Sequence, residues 1–297
     1  MLENIPNTRL KEVSEYTETF GIEKAEIFFG ILRDTIKRYI RLYKKRMEEG
    51  EKVVSTQILE VGRPKELKGD MVIGVVGDLH APWDHPNYLD FCIDTFKKFG
   101  VNKVVFIGDI VDNHAISRFQ TETVALSPQD EYKLAKEHVK KYVDAFPEAI
   151  MTIGNHDKIP ARQLATLGIP EIYLKSYKDL WGLPEAWQLV EEIIINDVIF
   201  FHGSGSVGKT PSFNRALYNR MSTVQGHAHS AFGCTYNANA RDIVFGLDTG
   251  CGILADSYSF AYGKPFPKKP ILGCGIVFSS INAIAVPMGD KYFRTDK

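Results

Sequence analysis

From Met71 onward, short apolar runs alternate with polar breaks. MVIGVVG (71–77), KVVFIG (103–108), AIMTIG (149–154), IIINDVIFF (193–201), STVQG (222–226), DIVFGLD (242–248) and IVFSSINAIAV (276–286) are strand-length and rich in β-branched and aromatic residues. Between the early runs, Tyr88–Phe99 and Gln129–Phe146 carry helical periodicity, the second opened by Ser127 as a cap with Pro128 behind it. Strand and helix alternate first and strands dominate later, which predicts a layered α/β (α+β) body. Residues 8–47 read as helices, and residues 48–70 are charged and broken by Gly62, Pro64 and Gly69. The pattern therefore predicts a helical module over 1–50, a linker over 51–70 and a catalytic-sized body over 71–297.

Composition narrows this only mildly. The chain has 297 residues, 44% of them hydrophobic and 25% charged, with a net charge of -1, so affinity for a polyanion must come from a local patch. The start MLENIPNTRL lacks an apolar core of the signal-peptide kind, and no run of about 18 apolar residues occurs, so a cytoplasmic protein without a membrane partner is expected. Cys92, Cys234, Cys251 and Cys274 are widely separated, which points to buried reduced thiols rather than a disulfide framework or a thiolate zinc site.

The chemistry lies where the apolar runs end. Asp78 and His80 follow the first, Asp109, Asp112 and Asn113 the second, and Asn155, His156 and Asp157 the third. IFFHG then delivers His202, and VQGHAH delivers His227 and His229. Loops at the carboxyl ends of α/β strands converge on a crevice that a rigid core holds in place. Oxygen donors with imidazoles suit Mn, Fe, Zn or Ni. One carboxylate such as Asp109 can bridge two cations about 3.5–4 Å apart, and such a pair activates a water while stabilising the attacking and leaving oxygens. The set reads as a two-metal hydrolase.

The ordered blocks GDLH, GDIVDN, GNHD, HG and GHAH, spanning residues 77–229, resemble the calcineurin-like metallophosphoesterase superfamily. The resemblance implies a two-sheet β-sandwich flanked by helices, and two divalent metal ions, with manganese the first choice. It assigns Asp78, His80, Asp109 and His229 to one ion and Asp109, Asn155, His202 and His227 to the other. His156 becomes the acid that protonates the leaving oxygen or steadies the transition state, with Asp157 orienting its imidazole. The Ser/Thr phosphatases of this superfamily carry Gly-Asp-x-x-Asp-Arg-Gly in the second block, whereas here Asn113 and His114 follow Asp112. That departure weakens a protein-phosphatase reading and leaves Asn113 and His114 as expected substrate contacts.

A competing signal is GSGSVGKT at 203–210, which spells the phosphate-cradling loop of nucleotide hydrolases between a strand-like and a helix-like run. It begins late in the chain and reuses Gly203 of the HG block, so we read it as a glycine and serine loop whose Lys209 reaches the substrate phosphate as a point charge. His138 reads as a helix-surface or packing residue and His85 as a turn residue, while Trp181, Trp187, Tyr173 and Tyr177 read as packing for an inserted segment.

The helical module adds a second clue. AEIFFGILRDTIKRYIRLYKKR has a glycine turn at Gly30 and an apolar face of Ile36, Ile40 and Tyr43, and it resembles a helix-turn-helix with residues 33–46 as recognition helix. Arg33, Lys37, Arg38, Arg41, Lys44 and Lys45 supply a basic stripe suited to DNA phosphates. Metallophosphoesterases with such a head are commonly encoded by bacteriophages and prophages. The expected function is a two-metal phosphodiesterase acting on DNA or a nucleotide through a phosphoester substrate. The alternatives are a phosphomonoesterase whose head serves docking or homodimer formation, and a DNA-binding protein with a regulatory metal site.

Overall fold

The computed structural model describes residues 7–48, 66–117, 126–173, 175–206, 208–254 and 269–290. The chain divides into two compact units, Met1–Gln57 and Ile58–Lys297. Most of the predicted linker, residues 51–65, lies outside the described residues.

The first unit holds three helices, α1 (Asn7–Phe20), α2 (Ile22–Phe29) and α3 (Arg33–Glu48). Gly30 ends α2 in the left-handed conformation (φ 63°), and its N–H donates to the Glu26 carbonyl at 3.0 Å. Each helix contributes one residue to a small core, Val13, Ala25 and Ile36, with Tyr16, Phe29 and Tyr39 packed against it.

The second unit is built from β1 (Glu66–Leu67), β2 (Ile73–Val76), α4 (Tyr88–Phe99), β3 (Lys103–Phe106), α5 (Pro128–Ala145), β4 (Ile150–Thr152), α6 (Ile159–Thr166), α7 (Tyr177–Trp181), β5 (Gln188–Val190), β6 (Glu192–Ile195), β7 (Val198–Phe201), α8 (Pro211–Asn219), β8 (Ser222–Gln225), β9 (Phe232–Ala238), β10 (Ile243–Thr249), β11 (Gly273–Ser279) and β12 (Asn282–Pro287). Two six-stranded sheets result, ordered β12-β11-β2-β3-β4-β5 and β1-β6-β7-β8-β10-β9. Alternation along the strands explains the layering. Ile73 and Val75 of β2 and Val105 of β3 point into a core shared with Phe200 of β7 and Leu247 of β10, which joins the sheets face to face. Val76 and Phe106 point the other way, onto Cys92 and Phe96 of α4 and Val139 and Tyr142 of α5. The fold is thus the expected two-sheet sandwich flanked by helices.

Parallel pairing of β2 with β3 and of β3 with β4 puts their carboxyl ends on one side of the first sheet. Parallel pairing of β7 with β8 does the same in the second. Those five ends carry the candidate ligands.

Several local expectations change. IIINDVIFF is a hairpin, β6–β7, turned at Asn196 and Asp197 with φ 48° and 60°, as two left-handed residues of this type favour. IVFSSINAIAV spans most of a second hairpin, β11–β12. Glu66 and Leu67, expected in the linker, pair with β6 as an edge strand. The helix predicted over Gln129–Phe146 runs over Pro128–Ala145, capped where Ser127 Oγ accepts the Asp130 N–H at 3.2 Å. All four cysteines are free, three of them buried and Cys234 half-buried. Among the described residues no helix is long and apolar enough to cross a membrane.

Candidate metal centre

Two carboxylate–imidazole groups, Asp78–His80–His229 and Asp109–His202–His227, hold their ligand atoms within 4.8 Å of one another. Asn155 adjoins the second group, its Oδ1 lying 3.0 Å from His202 Nε2. Asp109 stands between the groups, with Oδ2 3.1 Å from His202 Nε2 and 3.7 Å from His80 Nε2. All seven residues expected to bind metal therefore come together.

The backbone is forced to achieve this. His80, Asp109, Asn113 and His227 all have positive φ, between 49° and 63°. Such conformations cost about 1–3 kcal/mol each and persist only where the surroundings over-determine them. The glycines of the GNHD and GHAH blocks have a matching cause. A Cβ on Gly154 would lie 2.0 Å from Asp109 Oδ1, and one on Gly226 would lie 2.3 Å from Asp78 Oδ1.

The donor set fits a cation pair. His202 Nδ1 donates to the Ile107 carbonyl at 2.9 Å, so in the neutral ring the Nε2 lone pair faces the oxygens of Asp109 and Asn155. His80 Nδ1 lies 2.7 Å from Asp112 Oδ1, which leaves its Nε2 facing His229 Nε2 at 3.2 Å. Two imidazole nitrogens at that distance share at most one proton. Asp78 Oδ2 accepts the His227 N–H at 2.9 Å, while its buried Oδ1 has no hydrogen-bond partner among the described residues. Converging lone pairs and an orphaned buried oxygen are relieved together by positive charge, and oxygen with imidazole is a donor chemistry for Mn, Fe, Zn or Ni.

Electrostatics point the same way. Burial opposes charge on His202, but the Asp109 carboxylate outweighs it and pushes the imidazole up to about 10. Burial likewise works against ionised Asp109, yet His202, His156 and His80 hold it well below the usual carboxylate range. Burial lowers His80 and His227, with neighbouring imidazoles adding to it. An ionised Asp109 beside His80 and His227, which give up protons readily, is the state that metals bind, and at His202 a cation would take the place of the proton that Asp109 now holds there.

A third group, His80–Asp112–His156, contains the expected acid. His156 Nδ1 lies 2.7 Å from the Asp112 carbonyl oxygen and 3.1 Å from its Oδ1. Burial disfavours the imidazolium, but Asp112 and Asp109 prevail and raise it to about 9. The carboxylate beside the His156 imidazole is thus that of Asp112, whereas the resemblance gives the orienting part to Asp157. Asp157 Oδ2 accepts the N–H groups of Asp109 (2.9 Å) and Gly154 (2.8 Å), and its Oδ1 accepts the Tyr177 hydroxyl at 2.6 Å. Asp157 is adjacent to His156 in sequence, and its carboxylate turns inward to tie two strand-end loops together. Asp112 stands in the GDIVDN block, and only the fold shows that its side chain meets His156.

The remaining expected contacts separate. Asn113 is half-buried and donates Nδ2–H to the His156 carbonyl at 3.0 Å. His114 is 5% exposed, and its backbone N–H donates to Glu131 Oε1 at 2.6 Å, so its ring is withdrawn from the surface where a substrate contact is expected. Lys209 is exposed in the loop between β7 and α8. Just past that loop the Ser212 N–H at the start of α8 donates to Asp248 Oδ1 at 3.2 Å, so a buried carboxylate of the protein itself already satisfies one of the helix's first donors. His138 Nδ1 pairs with Asp84 Oδ1 at 2.6 Å, and His85 Nδ1 accepts the Asn87 N–H at 3.2 Å. Trp181, Trp187 and Tyr177 are buried as expected, whereas Tyr173 is exposed.

In the helical unit, Lys37, Arg38, Arg41 and Lys44 are exposed on α3. Arg33 is exposed too, but its guanidinium lies 3.3 Å from Glu23 and 3.5 Å from Glu26. The Lys45 side chain lies outside the described residues.

The sequence model of one family, described as Calcineurin-like phosphoesterase, matches residues 71–247. No curated protein matches the chain. Among solved structures, an archaeal phosphodiesterase is 15% identical, over 73% of this chain and 100% of its own, with a TM-score of 0.39. Vacuolar protein sorting 29 from Cryptosporidium parvum is 13% identical, over 74% of this chain and 92% of its own, at 0.39. A metallophosphoesterase from Sphaerobacter thermophilus is 15% identical, over 74% and 89%, at 0.38.

Proposed function

The chain belongs to the calcineurin-like phosphoesterase family and is a metal-dependent hydrolase, and from that premise we propose that it cleaves phosphodiester bonds in DNA or nucleotides under a DNA-binding head. The observation that carries the reading is the shared Asp109, which reaches an imidazole of each donor group while accepting the His156 backbone N–H at 2.7 Å. Diester preference is supported by the two residues after Asp112. A phosphate monoester brings about two negative charges and gains from a guanidinium fork, whereas a diester brings one. Asn113 and His114 supply no fixed cation there.

Two divalent cations, when bound, supply Lewis-acid polarisation of phosphoryl oxygens and a lowered pKa for a water. Asp78, His80, Asp109 and His229 would hold one, and Asp109, Asn155, His202 and His227 the other. The protein's own groups do the rest. Asp112 fixes His156 through Nδ1, which leaves Nε2 to donate a proton to the departing oxygen. Asp157 locks the loops after β3 and β4 together, and so keeps Asp109 and His156 in register. Lys209, exposed beside the His202 loop, adds a point charge for a substrate phosphate.

The head reading rests on α3, a helix with Lys37, Arg38, Arg41 and Lys44 exposed and Ile36 in the core. A second reading, a phosphomonoesterase with a docking or oligomerising head, is favoured by exposed Ile27 (85%), Phe28 (63%) and Leu32 (78%). Hydrolysis of bis-p-nitrophenyl phosphate against p-nitrophenyl phosphate, with Mn, Fe, Zn and Ni in turn, separates the two. Faster turnover of the diester, together with salt-sensitive DNA retention lost on deleting residues 1–50, is expected. A monoester preference with no DNA retention would favour the docking head instead.

A further inference from the structure

A cavity of about 240 Å³ lies beside the His156 loop. Its floor is Glu131, Ala135 and Trp181, all buried, and part-exposed Asn113, Ile116 and Pro160 form the rim. It is fastened to the catalytic loops on two sides. Asn113 donates to the His156 carbonyl, and α7 carries both Trp181 and Tyr177, whose hydroxyl donates to Asp157.

Its chemistry is selective. Most polar groups around it are already paired within the protein: Glu131 accepts the His114 N–H at Oε1 (2.6 Å) and the Ala115 N–H at Oε2 (2.7 Å), and the Tyr132 hydroxyl donates to the Leu180 carbonyl (2.9 Å). Trp181 Nε1–H, on a residue 3% exposed, has no partner among the described residues. An indole N–H only donates, and left alone in an apolar wall it forgoes the hydrogen bond it makes to water in the unfolded chain. Size narrows the occupant further. A cavity of roughly 150 Å³ takes one benzene ring, and sites for drug-sized ligands start near 300 Å³. Trp181 and Tyr132 pack on each other, 5.3 Å between ring centres and tilted by 50°, so they form one aromatic wall on which a planar group stacks from a single side.

We propose that this cavity is a subsite for a planar aromatic group of about two fused rings with an acceptor atom at its edge, carried by the phosphoester. The substrate part of the inference rests on the phosphoesterase reading, and the binding part does not.

The test uses the full chain, with and without Mn, and 2-naphthol as the probe in a fluorescence titration. Ala115 also lines the cavity, and Ala115→Leu shrinks it and is expected to weaken naphthol roughly tenfold, the scale of a methylene misfit in an apolar pocket. Trp181→Phe keeps an aromatic wall but removes the pyrrole half of the indole together with its N–H, and a loss of about threefold to tenfold is expected. In turnover, the KM ratio of 2-naphthyl methyl phosphate to phenyl methyl phosphate should rise in both variants. Equal naphthol affinity in the native chain and both folded variants overturns the subsite. If no ester is hydrolysed with any metal while naphthol binding still depends on the variants, the subsite stands and the phosphodiester reading falls.

Discussion

The strand-end loops of the body and the α3 surface of the head present polar residues in opposite ways. In the body each candidate ligand follows a buried strand, and four residues of the site accept strained backbone to reach their places. Asp109 alone has its N–H held by Asp157 and its Oδ1 held by the His156 N–H. In the head three small or branched residues make the core, and the basic side chains of α3 stand exposed. Chemistry that needs atoms fixed to fractions of an ångström is built by over-determination. Recognition of a polyanion needs only charge within reach.

The largest expected effect breaks the body's side of that contrast. Asp109→Asn removes the charge three imidazoles share, and turnover should fall at least about 10³-fold, the equivalent of several kcal/mol of Lewis-acid stabilisation. Metal content measured on the purified variant should fall with it, and full occupancy with normal turnover would show that Asp109 is not the shared ligand. His156→Ala comes next, with a loss of roughly 10²-fold in kcat while metal content is retained. Asp112→Asn should reproduce part of that loss, about tenfold or more, since it acts through the orientation of His156. If the Asp112 variant is silent and an Asp157 variant is not, the orienting role belongs to Asp157 after all.

The same contrast explains which parts of the molecule are legible in the chain. Asp78, His80, Asp109, Asn155, His202, His227 and His229 each follow a short apolar run, so a local pattern marks them without any fold. The contact of Asp112 with His80 and His156 is hidden because they are 32 and 44 residues away, and no periodicity encodes that meeting. Asp157 misleads for the converse reason, since adjacency to His156 in sequence is not contact between the side chains. The edge strands β1, β5 and β9 are invisible on other grounds. Two of them have only two or three residues, and β9, FGCTYNA, mixes Gly and Asn into a half-buried edge. Asp248, which accepts the Ser212 N–H at the start of α8, approaches it from 36 residues away.

Asp248 also gives a stability test confined to the body. Burial lifts its carboxyl to about 6, opposed by hydrogen bonds from Ser212. The folded state therefore holds its proton more tightly than the unfolded chain, whose value is about 3.9. Below pH 4 both states are protonated and nothing is lost. As pH rises from 4 through 6, stability falls, and above that the ionised form bears the full penalty. Asp248→Asn keeps an oxygen for the Ser212 N–H and cannot ionise, so it should stabilise the body by roughly 3 kcal/mol at pH 7, about 1.4 kcal/mol for each of the two pH units. The gain should vanish by pH 4 in paired melts, and a gain independent of pH would point to packing instead. Among the described residues the head buries no carboxylate, so its own melting should not share this dependence.

The smallest expected effects lie in the head and test whether its charges act one by one. If α3 meets phosphates, Lys37→Ala and Arg41→Ala should each lower the slope of log affinity against log salt by about one unit, with a uniform loss across DNA sequences. Arg33→Ala should change the slope less. Its guanidinium already lies beside Glu23 and Glu26, and withdrawing it from those partners offsets what a phosphate contact returns. The ordering matters more than any single value, because a docking helix would show no slope at all, and a base-reading contact would change sequence preference rather than salt dependence. Equal slopes for all three variants would mean that the acidic pair does not restrain Arg33, and the head would then be as loosely specified at its first turn as along the rest of the helix.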